Sequence, residues 1–147
     1  MQMRSSSKSA LFLIEMIIAI GFFSVSAAVC TSLFVKANML SQETRRMNMA
    51  VIQAQSVAEC FKSADGSLQE TVKLLDVSPN DGQSFLLYFN NDWQRGEQGR
   101  YRMTVSVDES ALPATADIAI VDMENSEAVL YTMQVKQYSR ELSGRDG

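Results

Sequence analysis

Histidine is absent from this 147-residue chain. That removes the commonest general base and the commonest metal ligand from consideration. No glycine-rich phosphate loop is present, so nothing points to nucleotide chemistry. Serine and aspartate are plentiful, but without a base partner none reads as an activated nucleophile. Neither an enzymatic activity nor a bound cofactor is expected. There are two cysteines, Cys30 and Cys60. If one helix carries both, they lie about 45 Å apart and cannot pair within a subunit. They read as small buried hydrophobes, with no disulfide framework. Proline is scarce as well: none precedes Pro79.

The most telling scarcity is local. From Ala10 to Val35 the only formal charge is Glu15. From Lys36 onward the composition is that of an ordinary soluble domain. This part holds 11 Lys and Arg against 16 Asp and Glu, a net of −5. Such a balance gives no support for nucleic acid as a partner, which requires clustered basic residues. The chain divides into a polar leader (1–10), an apolar segment (11–35), an amphipathic continuation (36–64) and an extracytoplasmic α+β part (65–147).

The apolar run from Leu11 to Val35 is long enough to span a bilayer as a helix. Arg4 and Lys8 precede it with no acid among them, which predicts a single-pass protein with a cytoplasmic N-terminus. A secretory signal would have a shorter apolar region and a small-residue cleavage site. A lipoprotein signal is echoed only faintly by Ala27-Ala28-Val29-Cys30, where Val29 is a poor residue to precede the cysteine.

Glu15 is anomalous in this setting. A carboxylate in hydrocarbon costs several kcal/mol, and such groups usually have a partner. One reading is that Glu15 snorkels to the interface, one turn from the start of the apolar helix. The other is that a cut after Ala10 frees the α-amine of Leu11 to pair with Glu15 of a neighbouring subunit. The residues alone leave both open.

The stretch from Ala10 to Met16, with Leu13-Ile14-Glu15 behind a basic leader, resembles the signal of type IV pilins and type II secretion pseudopilins. The resemblance covers Arg4 to about Val35. It implies cleavage between Ala10 and Leu11 by a prepilin peptidase, N-methylation of Leu11, and an assembly role for Leu13, Ile14 and Glu15. It also implies partners: other pilin or pseudopilin subunits, membrane lipid, and an inner-membrane assembly platform driven by a separate ATPase. Ala10, Leu11 and Phe12 stand where the family usually has Gly, Phe and Thr. Those departures point to a minor subunit of a pilus, secretion or competence filament. The rival function is an uncleaved, single-pass anchored domain that binds a ligand or senses the envelope.

Beyond the apolar run, Leu40, Met47, Ala50, Val51, Ala54, Val57, Ala58 and Phe61 fall at helical spacings on one face. Nothing breaks the pattern before Asp65-Gly66, which reads as a stop. Ser67 and Glu70 read as a capping box opening a short helix with Leu68, Val72 and Leu75 on one face. Strands are expected at Ser84–Phe89, Arg100–Val107, Ala116–Met123 and Ala128–Tyr138, with a loop at Asn90–Gly99. Tyr101, Met103, Val105 and Val107 should share a face, as should Val129, Tyr131, Met133 and Val135. The expected fold is therefore α+β: a long N-terminal helix on an antiparallel sheet of about four strands, a pilin-like layout. Asn80-Asp81 with Asn90-Asn91-Asp92 offers oxygen ligands of the kind calcium takes, but turn chemistry accounts for these residues better. Ser139–Gly147 should be a loose tail.

Overall fold

The computed structural model describes residues 4–138, with side chains from Lys8 onward; the expected tail at Ser139–Gly147 lies outside the described residues. Two helices precede five strands: α1 Arg4–Ser63, α2 Leu68–Leu75, β1 Ser84–Phe89, β2 Arg95–Gly96, β3 Tyr101–Asp108, β4 Ala114–Asp122 and β5 Ala128–Gln137. The chain forms two compact units, Met1–Thr44 and Arg45–Gly147.

In the second unit the strands form one antiparallel sheet in the order β2-β1-β3-β4-β5. One face of that sheet is the core. Phe85, Leu87, Phe89, Tyr101, Met103, Val105, Ile118 and Ile120 are all buried there. The C-terminal part of α1 covers this layer with Ala50, Ala54, Val57, Ala58 and Phe61. Spacings of three and four align these residues on one helical face. These side chains, Phe61 the largest of them, fill the layer between helix and sheet. Leu40 and Met47, which the periodicity assigns to the same face, are 65% and 49% exposed. The buried face therefore begins at Ala50.

The helix stop forms where expected, by a defined device. Asp65 adopts φ 52° and its N–H bonds the Lys62 carbonyl, while the Gly66 N–H reaches back to Phe61. This Schellman arrangement satisfies carbonyls that the helix end would otherwise leave unpaired. α2 ends the same way, with Asp76 at φ 52° and Val77 bonding Val72.

Four further expectations need correction. Cys30 is exposed and Cys60 half-buried, so neither is the buried hydrophobe expected. The capping box does not form: the Ser67 side chain makes no cap bond. Instead the Leu68 N–H donates to the carboxylate of Glu109, from the β3–β4 connection. A remote carboxylate does the same work for the helix dipole as a local one. The sheet has five strands rather than about four, because the expected loop at Asn90–Gly99 folds back as β2 and pairs with Tyr88 and Phe89. Val129 does not share a face with Tyr131, Met133 and Val135. The register shifts between Ile120 and Val121, leaving Leu130 as an extra residue, and Val129 turns 64% exposed. A one-residue bulge inverts a period-2 pattern from that point on.

Candidate functional site

The first unit presents the residues that the sequence singles out. Ala10, Leu11, Leu13, Ile14 and Glu15 all lie within α1, so the peptide bond between Ala10 and Leu11 is helical.

Every described side chain from Lys8 to Arg45 is exposed. Leu11, Leu13 and Ile14 have 66%, 58% and 55% of their surfaces open, and Phe22, Phe23 and Phe34 about three quarters. The helix is long and apolar enough to cross a membrane, and none of its most apolar window is buried in protein. An exposed apolar surface of this size marks a contact with lipid or with other protein.

Within it, Glu15 has neither a hydrogen bond nor an ion pair among the described residues. It sits four residues from Leu11, on the same helical face. The polar groups further along are dealt with differently. The hydroxyls of Ser24, Ser26, Thr31 and Ser32 donate to the carbonyls of Ile20, Phe22, Ala27 and Ala28 at 2.8–3.0 Å. Each hydroxyl is satisfied within its own helix, so none opposes transfer into hydrocarbon. Hydropathy reading counts these residues as polar and misses their bonds. Glu15 has no such internal solution.

In the second unit one ion pair among the described residues has both partners shifted from their ordinary values. Arg100 grips the buried Asp122 through Nε at 3.0 and 3.2 Å and Nη2 at 2.8 Å, and reaches Glu124 at 3.1 Å. The guanidinium, helped by the Glu124 N–H, holds the Asp122 carboxyl below the usual carboxylate range and is itself raised. Beside it Trp93 stacks on Tyr101 at 4.2 Å with an 8° interplanar angle. Trp93 is buried.

The oxygen-rich residues do not converge. Asn80-Asp81 and Asn90-Asn91-Asp92 stand at opposite ends of β1. Asp81 accepts from the Ser84 hydroxyl and the Gln83 N–H, and Asn90 from the N–H groups of Asp92 and Gln94. Those bonds lower the Asp81 carboxyl below its ordinary value, the Ser84 hydroxyl most of all. Asp108, at the end of β3, is lowered likewise by Ser110. Among the described residues no group of three or more acids or cysteines could hold a metal ion. The chain matches no family model, no curated protein and no solved structure.

Proposed function

We propose that this chain is a minor pilin or pseudopilin, a structural subunit that joins a filament through the N-terminal half of α1. Glu15 carries the reading. It is the only charge between Lys8 and Lys36, on an exposed helical face, with no partner among the described residues. An acid within a spanning helix is costly and is kept where it has a function. Cleavage after Ala10 supplies the missing partner. The freed α-amine of Leu11 in one subunit then pairs with Glu15 of its neighbour inside the apolar bundle, which sets the axial register between subunits.

The remaining parts follow from this. Membrane lipid holds the subunit before assembly, with its C-terminal domain on the outer side. A prepilin peptidase cuts and methylates it, and a platform with its own ATPase extracts it into the growing fibre. The layout of a long helix with an antiparallel sheet is compatible with this role, and the small Ala10 fits a peptidase that usually meets glycine.

The test is the mass of the N-terminus after co-expression with a competent prepilin peptidase. A mature chain starting at Leu11, with one added methyl, is the expected result. An intact N-terminus under those conditions overturns the proposal in favour of an uncleaved membrane anchor for a binding or sensing domain.

A further inference from the structure

The two edges of the sheet are treated differently. On the β1 side, β2 pairs with Tyr88 and Phe89, Pro79 bridges Phe85, and the Asn80 N–H donates to the Ser84 carbonyl at 2.7 Å. That edge is covered along most of its length. On the other side β5 pairs with β4 alone among the described residues. It is the longest strand, Ala128–Gln137, and its outer edge is a row of backbone donors and acceptors.

A groove of about 460 Å³ lies along that edge. From β5 it is lined by Met133, Gln134, Val135 and Lys136, four residues in succession. Successive strand residues point to opposite faces, so a cavity touching all four must run beside the strand rather than over one face. The opposite wall is α1, through Gln55, Ala58, Glu59 and Lys62, whose spacing defines one helical face. An edge strand facing a helix across a groove is the geometry that accepts an added strand: the backbone pairs with the edge while alternate side chains meet the helix.

We infer that this groove binds an extended acidic peptide segment, which joins the sheet along Met133–Lys136. Charge selects the occupant. Two lysines, Lys62 and Lys136, flank the groove against one glutamate, Glu59, and neither lysine forms an ion pair among the described residues. In a region whose net charge is −5, this is a local inversion of sign. Ala58 and Val135, both buried, form an apolar floor for small or branched side chains. The bulge at Leu130 limits regular pairing to the part of β5 beyond it, which favours a short segment over a full-length second copy. The inference does not depend on N-terminal processing and holds equally for a filament subunit and for an uncleaved anchor.

The test uses the full chain in detergent micelles and a labelled short peptide alternating valine with aspartate. Fluorescence anisotropy reads binding, and amide hydrogen exchange reads its location. The acidic peptide is expected to bind and to slow exchange at Met133–Lys136. A lysine-for-aspartate peptide, and one with alternate backbone amides N-methylated, should bind at least about tenfold more weakly. The double variant Lys62→Glu with Lys136→Glu should lose binding to a similar degree with an unchanged melting temperature. Three results overturn the inference. These are no binding, binding that neither control peptide weakens, and slowed exchange on β5 that grows with protein concentration without peptide, which assigns the edge to a second copy.

Discussion

Phe34 and Phe61 belong to the same helix, yet Phe34 is 75% exposed and Phe61 is fully buried. The first lies in a stretch that is apolar on every side and the second in a stretch with one apolar face. An all-round apolar surface cannot be satisfied by a single sheet, so it is left for lipid or for other helices. A one-sided surface is satisfied by folding. The same contrast recurs for carboxylates. Asp122 is buried with Arg100 gripping it, whereas Glu15 is exposed without a partner among the described residues. It recurs again for glycine, since a methyl on Gly21 meets nothing within 4 Å, while one on Gly99 would lie 2.2 Å from the Phe89 carbonyl oxygen.

Each pair can be broken by substitution. Phe61→Ala should cost the C-terminal unit about 3–5 kcal/mol in chemical denaturation followed by circular dichroism in micelles. Phe34→Ala should change that value by less than about 0.5 kcal/mol. Equal losses would mean that the two regions are not energetically distinct.

Asp122→Ala should cost about 1.5–3 kcal/mol, because it removes the charge-assisted bonds of a half-buried guanidinium that keeps only the exposed Glu124. Glu15→Ala should leave the same denaturation curve unmoved and the subunit inserted in the membrane, but impair its incorporation into filaments. Normal incorporation would count against the proposed pairing with Leu11. The Asp122 carboxyl is depressed in the folded state, so its contribution is complete above about pH 4 and is lost as pH falls through its lower folded value. Acid unfolding of Asp122→Asn should accordingly be less steep with pH than that of the native chain. The smallest effects come from glycine. Gly99→Ala should destabilise the C-terminal unit by about 2 kcal/mol, and Gly21→Ala should not destabilise it.

How far the molecule was legible in its sequence follows the range of the interactions. The helical run, its stop at Asp65-Gly66 and the alternation of β3 rest on local patterning and could be read directly. β2 could not, since a two-residue strand has no period. The Glu109 cap acts across 41 residues and the Arg100–Asp122 clamp across 22, and neither leaves a local mark. The bulge at Leu130 was invisible for the opposite reason, a single residue being enough to invert a face. At the site, Glu15 stood out because it is alone. The bonded hydroxyls of Ser24 to Ser32 did not, because hydropathy scores a side chain without its rotamer.

Trp93 is the only tryptophan in the chain, buried and stacked flat on Tyr101. The apolar stretch has none. Intrinsic emission excited at the red edge of the ultraviolet band therefore arises from the C-terminal unit alone. Its spectrum shifts when that unit opens, and it stays dark to every event along the exposed helix. The chain thus carries an optical label that watches one half of the comparison and is blind to the other.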